Sequence, residues 1–199
     1  MPRWDAFRAP TRTPSDGATY APLTVDPSGG SPPADALSFL AAVRAVLERL
    51  KPARARNTWA MYKTGFGLVI VIPLDRAPGS SSGRGLHLSL QLRVVAEEGS
   101  AIEGAWTDAH YAWDYVPRPD FVVGGVDEDD RETALEWFTA ELRRSIVRWD
   151  WSVLGLTVYS RWHVEGAGWN EGRGFFPIAL VLWNRPGRIV PAGYLDPWS

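Results

Sequence analysis

Residues of catalytic type occur in three places in the sequence, and each place can be tested against the spacing that its chemistry requires. The segment from Gly79 to Gly83 reads GSSSG and matches G-x-S-x-G, in which a serine nucleophile occupies a sharp turn between a strand and a helix. The histidines of the chain do follow it, but the next segment alternates as a strand. We therefore expect an ordinary flexible loop here and no catalytic residue.

Asp108, His110 and Asp114 share one strand parity and suggest a metal site. Along an extended strand, however, Asp114 lies about 13 Å beyond His110, which is too far for one ion. The sequence has no cysteine and no H-E-x-x-H pattern, so we expect no bound metal. Its glycine-rich stretches fit neither the phosphate-loop nor the dinucleotide-binding pattern, and we expect no cofactor.

The segment RWHVEGAGWNEGRGFFP, residues 161–177, places glycines, tryptophans and charged residues between two apolar runs. Its glycines are typical of a hairpin connection. Glu165 and Glu171 flank the predicted tip and could act as paired carboxylates of a glycosidase, but we strongly favour the interpretation that they are two solvated glutamates. A turn alone does not explain Trp169, which lies beside polar residues at the predicted tip.

Tryptophan is unusually common, with 11 residues in a chain of 199. Trp137 and Trp183 adjoin apolar stretches and fit a core, whereas Trp106, Trp113 and Trp162 have polar neighbours. Trp, Tyr and Arg dominate interface hot spots, so we predict a binding surface, the alternative being a large aromatic core that extends into loops. The predicted binding residues are Tyr111, Trp113, Tyr115, Arg161, Trp162, His163, Trp169 and Arg173.

Hydrophobic periodicity predicts the elements that must position these residues. Apolar residues recur at helical spacing over 35–51 and again over 129–147, where Asp129 and Glu132 fit a capping box. A continuous apolar run over 65–73 predicts a central strand. Strict alternation over 86–94 predicts a strand with one core face and one wet or ligand-facing side. Further strands are predicted over 151–164 and 175–183, with an irregular one over 106–117.

Together these elements predict an α+β fold, with an antiparallel sheet and two helices packed on one face. The order helix, strand, glycine loop, strand recurs, so the domain can be divided into two αββ units. Residues 1–33 are rich in Pro, Gly, Ser and Thr and predict an N-terminal arm that adds little stability. Residues 34–199 then form a single domain.

Composition limits the partners. The formal net charge of −2 argues against broad binding to nucleic acid or to an anionic membrane. The start MPRWDAFRAP lacks the apolar run of a signal peptide, and no apolar run reaches the roughly 18 residues of a membrane span. We therefore expect a cytoplasmic protein. Its basic residues are nearly all arginine, which suggests a bacterial source.

Two classes of function fit these observations. The first is a non-enzymatic protein-binding domain, such as an immunity-type protein that neutralises a toxin or a subunit of a larger assembly, or a chain that associates with itself. The second is a hydrolase or a carbohydrate-active or carbohydrate-binding protein that uses the glycine-rich hairpin loops. We favour the first class, because none of the candidate catalytic motifs has the spacing or the sequence context that its chemistry requires.

Overall fold

The computed structural model of the protein describes residues 25–26, 30–53, 55, 58–74, 88–95, 100–108, 119–153, 156–166, 170–174 and 186–196. These residues form helices and strands that alternate along the chain. In chain order the elements are β1 (Val25–Asp26), α1 (Ala34–Leu50), β2 (Trp59–Lys63), β3 (Gly67–Pro73), β4 (Leu88–Val95), β5 (Ala101–Asp108), β6 (Phe121–Val123), α2 (Glu128–Leu142), β7 (Ile146–Val153), β8 (Leu156–Val164), β9 (Asn170–Gly174) and β10 (Arg188–Pro191).

The first sheet has the strand order β1-β2-β3-β4-β5-β6. Its neighbours are antiparallel except for β1 and β2, which are parallel. β3 is buried along its whole length, as its continuous apolar run predicts. β1 lies inside the predicted arm, so the arm contacts the sheet at Val25–Asp26. The boundary after residue 33 stays a prediction.

The second sheet has the order β10-β7-β8-β9 and is antiparallel throughout. β8 and β9 are antiparallel neighbours, with His163 opposite Asn170. β8 and β9 are therefore the two strands of a hairpin, as the glycines predict, and Arg161, Trp162 and His163 belong to its first strand. Residues 167–169 and 175–177 of the segment lie outside the described residues. The predicted strand at 175–183 lies outside the described residues.

Both helices pack on the same face of the first sheet. Phe39 and Leu47 of α1 and Phe138 of α2 belong to one buried cluster, together with Ile70 of β3 and Leu92 of β4, which are paired residues on one face. The predicted α+β class, with an antiparallel sheet and helices on one face, is confirmed. The layout of helix followed by paired strands recurs as α1-β2-β3 and α2-β7-β8, but the strands divide between two sheets instead of forming one.

α2 begins and ends at different residues from those that the periodicity predicts. Its N-cap is Asp127, whose side chain accepts a hydrogen bond from the Asp130 N–H, so the predicted capping box at Asp129 does not form. The helix ends at Leu142, and Ile146 begins β7. Ile146 is buried as predicted, but it belongs to a strand and not to the helix. Because it lies four residues after Leu142, it continues the helical spacing beyond the point where the helix ends.

The polar side of β4 is buried at Ser89 and Gln91 and partly exposed at Arg93. Its alternation is real, but Ser89 and Gln91 on the polar side are 0% and 1% exposed. Trp106 of β5, which the sequence groups with tryptophans of polar surroundings, is also buried. A polar side chain that forms hydrogen bonds can be buried at low cost, so alternation alone does not tell a wet face from a covered one.

The buried cluster also joins the two sheets. Ile146 of β7, Val164 of β8 and Tyr194 belong to the same cluster as the helices and the first sheet. The Tyr194 ring stacks on Trp106 with 5.9 Å between centroids. Its hydroxyl accepts a hydrogen bond from the Leu90 N–H and donates one to the Ile72 carbonyl. The segment that follows β10 therefore fixes the second sheet to the first.

Candidate functional site

One face of the second sheet carries aromatic side chains that lie away from the core. Side chains alternate along β7, so Ile146 faces the core while Trp149 and Trp151 face the other side. Residues paired across β7 and β8 share a face, which adds the partners of these positions on β8. We call this set the aromatic face; it consists of Val147, Trp149 and Trp151 of β7 and Tyr159, Arg161 and His163 of β8.

The members of the aromatic face are half-buried, whereas Ile146 and Val164, on the other side of the same strands, are fully buried. The face extends onto β10, where Ile189 lies opposite Trp149 with 59% of its surface exposed. The large apolar groups of this face lie side by side and are partly accessible to solvent. Such patches are typical of interaction sites.

The rings of the face contact one another in a continuous series. His163 stacks on Trp149 with 6.2 Å between ring centroids and 21° between planes. Trp149 meets Trp151 edge to face at 6.5 Å and 69°, and Trp151 meets Tyr159 at 5.1 Å and 60°. These offset and tilted contacts are the favourable geometries for aromatic pairs, so the rings hold one another in place.

Arg161 lies opposite Trp149, within this series of rings. Three of the other partly exposed arginines bind a carboxylate, in the pairs Arg93–Glu103, Arg144–Glu141 and Arg148–Asp150. Within the described part of the chain, Arg161 has no such partner. The donors of this half-buried guanidinium are therefore not taken up by a carboxylate of the described residues.

Glycines line the strand next to Arg161. Gly172 of β9 pairs with Arg161, and Gly174 pairs with Tyr159. Paired residues share a face, so these two positions place no side chain beside the rings. The result is a lane of bare backbone along β9, which we call the glycine lane, bordered on one side by Tyr159 and Arg161.

His163 has a buried Nδ1 atom with no hydrogen-bond partner. A buried nitrogen of this kind can accept a hydrogen bond from a water molecule or from a group of a bound partner. It is the one polar atom of the aromatic face that is both buried and unsatisfied in the described residues.

The structure places the predicted binding residues in three groups. Arg161 and His163 lie on the aromatic face. Trp162 lies on the other side of β8 and packs against the core cluster. Arg173 belongs to β9 and pairs with Ser160. Four predicted residues lie outside the described residues: Tyr111, Trp113, Tyr115 and Trp169.

The sequence-based prediction missed Trp149 and Trp151, which are the centre of the aromatic face. The signal was present, because IVRWDWSV alternates with period 2 from Ile146 onward. The predicted helix extended to residue 147, so the first residues of this alternating pattern were assigned to α2 instead of β7. Once α2 ends at Leu142, the alternation by itself places both tryptophans on one side of a strand.

Glu141 is a buried carboxylate with hydrogen bonds to both of its oxygens, and it illustrates why burial of an acid is not enough to indicate catalysis. It is 2% exposed. Its Oε2 accepts from Trp106 Nε1 at 2.7 Å and from Arg144 Nε at 2.6 Å, and its Oε1 accepts from Arg144 Nη2. These hydrogen bonds raise the pKa of the Arg144 guanidinium. Since both oxygens are occupied by donors of the chain, Glu141 acts as a structural link from α2 to β5.

A second buried polar group lies on the first sheet. Gln91 Nε2 donates to Thr107 Oγ1 at 2.6 Å and to Ser89 Oγ at 3.2 Å, while Gln91 Oε1 has no partner. The two hydroxyls are 3.1 Å apart. An amide cannot take a proton from a hydroxyl, so Gln91 cannot act as the base that an activated serine or threonine requires.

The described residues hold no group of three His, Asp or Glu side chains that could bind a metal ion. Asp108 ends β5, and the other two residues of the tentative metal triad, His110 and Asp114, lie outside the described ranges. No described helix is long and apolar enough to cross a membrane. Comparison of the chain with protein-family models, with curated proteins and with solved structures finds no match.

Proposed function

We propose that the chain is a non-enzymatic protein-binding domain and that the aromatic face of the second sheet is its interface. In this proposal the partner is a toxin that the chain neutralises or another subunit of an assembly. The observation that carries the proposal is the continuous series of half-buried rings from His163 through Trp149 and Trp151 to Tyr159, with Arg161 inside it. Trp, Tyr and Arg are the residues that contribute most to the free energy of protein association.

Ring geometry favours a protein over a carbohydrate as the partner. A flat sugar stacks on an exposed ring face, and a chain of sugars needs several ring faces in similar orientations. The planes of Trp149 and Trp151 differ by 69°, and those of Trp151 and Tyr159 by 60°. Rings in such different orientations fit the irregular surface of another protein better than a row of sugars.

Affinity capture with matched variants tests this proposal. The tagged chain, Trp151→Ala and Arg161→Ala are incubated with an extract of the source organism, and the retained protein is purified and titrated back. We expect the wild type to bind one protein in a fixed ratio, and each substitution to weaken that binding by about 1–4 kcal/mol, the range of hot-spot residues. Leu37→Ala is the control, since Leu37 is an exposed residue of α1.

The melting temperature decides how a loss of binding is interpreted. Lost affinity at an unchanged melting temperature supports the interface. Retention of the same partner by Trp151→Ala and Arg161→Ala, with wild-type affinity, contradicts it. Binding of oligosaccharides, followed by tryptophan fluorescence and lost in Trp151→Ala, would favour the carbohydrate-binding alternative. Trp169→Ala and Arg173→Ala, in the same assay, test whether the interface extends to the tip of the hairpin.

A further inference from the structure

We infer that the partner segment bound at this face is extended and acidic, lies in the glycine lane, and places a carboxylate on Arg161. This inference rests on the proposed function and specifies the chemistry of the partner. Two independent observations carry it: the charge of the aromatic face and the absence of side chains at alternate positions of β9.

Among the described residues, the aromatic face carries a positive charge and no negative charge. Arg161 is its one permanently charged side chain among the described residues, and no described carboxylate shares its side of the sheet. Asp150 lies on the opposite side, where it binds Arg148 through both of its oxygens. A guanidinium presents parallel N–H donors that match the two oxygens of a carboxylate, and such charge-assisted pairs are stronger than neutral hydrogen bonds.

The surrounding rings favour such a pair. Trp149 lies directly opposite Arg161, and Tyr159 and His163 flank it along β8 at the positions that share its face. Large rings around a charged contact exclude water from it when a partner docks, which strengthens the contact. A neutral acceptor, such as a backbone carbonyl, would pair with the guanidinium more weakly than a carboxylate does.

The shape of the face sets the form of the segment. Gly172 and Gly174 leave one side of β9 free of side chains over two successive positions of the same parity. A partner backbone can approach such a surface closely, as it can wherever glycine replaces a side chain in a strand. An extended chain alternates its side chains, so one side chain of a segment that lies along the lane can point at Arg161 while its two neighbours in sequence point away.

A designed peptide pair tests the inference on the intact chain. The probes are two blocked peptides of about ten residues, one alternating Glu with Thr and the other alternating Gln with Thr. Binding is followed by NMR through the indole N–H signals of Trp149 and Trp151. We expect saturable shifts of both signals with the Glu peptide, and at least about tenfold weaker binding of the Gln peptide, since charge-assisted hydrogen bonds discriminate by that much.

Variants assign the effect to the two features. We expect Arg161→Gln to bind the two peptides equally weakly. The control is Arg188→Gln, which removes an exposed arginine on the opposite side of the sheet and should still bind the Glu peptide more tightly than the Gln peptide. Gly172→Val fills the lane with a residue that favours strands, so we expect it to weaken the Glu peptide at least about tenfold without unfolding the chain. A smaller loss in Gly172→Ala would support the same reading.

Several results would overturn the inference: no shift with the Glu peptide, equal binding of the two peptides to the wild type, or discrimination that survives Arg161→Gln. These results leave the proposed function standing if the captured protein still depends on Trp151. If the captured protein does not depend on Trp151 while the Glu peptide binds as expected, the proposed function fails and the acidic-ligand site remains.

Discussion

At the scale of single residues, Glu141 shows how the fold positions a buried charge. Three hydrogen bonds from Trp106 and Arg144 surround a carboxylate that is 2% exposed. Arg144 in turn donates from Nη1 to the Glu165 carbonyl at 2.7 Å, at the end of β8. One side chain of α2 therefore links the helix to β5 directly and to the second sheet through Arg144.

Glu141→Gln is predicted to lower the free energy of unfolding by about 2–3 kcal/mol, because an amide cannot accept from all three donors and the guanidinium loses its counter-charge. Trp106→Phe removes one of these donors and should cost about 1 kcal/mol through the hydrogen bond, with a further cost for the smaller ring. Urea unfolding followed by circular dichroism measures both changes. Glu136→Gln, the same substitution on the exposed side of α2, is the control and should change stability by less than about 0.5 kcal/mol. Equal effects at the two positions would mean that the Glu141 network contributes nothing.

At the scale of elements, α2 packs closely on β5 because Gly104 has no side chain. A Cβ atom at Gly104 would lie 2.1 Å from Cζ3 of Trp137, whose ring also stacks on Phe121 with 5.0 Å between centroids. Gly104→Ala is predicted to destabilise the chain by about 1–3 kcal/mol through overpacking, and to cost less when Trp137 is already leucine. Thermal unfolding of the two single variants and the double variant measures this coupling. Gly124→Ala, where no atom lies within 4 Å of the added Cβ, serves as the control. Additive effects of the two substitutions would show that the ring and the glycine are not in contact.

The elements also show which features the sequence predicts and which it does not. The periodicity predicts α1, β3, β4 and most of α2, because each has a long apolar pattern of one period. It does not predict where α2 gives way to β7, since Ile146 satisfies both patterns. The hairpin at residues 161–177 could be predicted from its glycines, and two residues of the aromatic face, Arg161 and His163, from their neighbours. That Trp162 faces the core while Arg161 and His163 face outward depends on strand parity, which requires the start of β8.

At the scale of the whole molecule, the two sheets share one core instead of forming separate units. Ile146 and Val164 of the second sheet are buried in the same cluster as α1, α2 and the first sheet. Their burial in common predicts a single cooperative unfolding transition, because neither sheet can unfold without exposing apolar surface of the other. Far-ultraviolet circular dichroism and tryptophan fluorescence should therefore give coincident urea transitions. Two separated transitions would contradict this prediction and would divide the described part of the chain into independent units.

Tyr194 is the residue on which this coupling can be tested most directly. It is fully buried, it stacks on Trp106, and its hydroxyl bridges the Leu90 N–H of β4 and the Ile72 carbonyl of β3. Tyr194→Phe keeps the ring but leaves both backbone groups without the hydroxyl, so we expect a loss of about 1–3 kcal/mol in the free energy of unfolding, with the transition still single. Tyr194→Ala also removes the ring and should cost about 3–5 kcal/mol, as in other truncations of buried aromatic residues. Leu195→Ala, beside it but 40% exposed, is the matched control. If Tyr194→Phe is as stable as Leu195→Ala, the hydrogen bonds of the hydroxyl do not hold the two sheets together. If Tyr194→Ala unfolds in two separate transitions, Tyr194 is the main connection between the sheets.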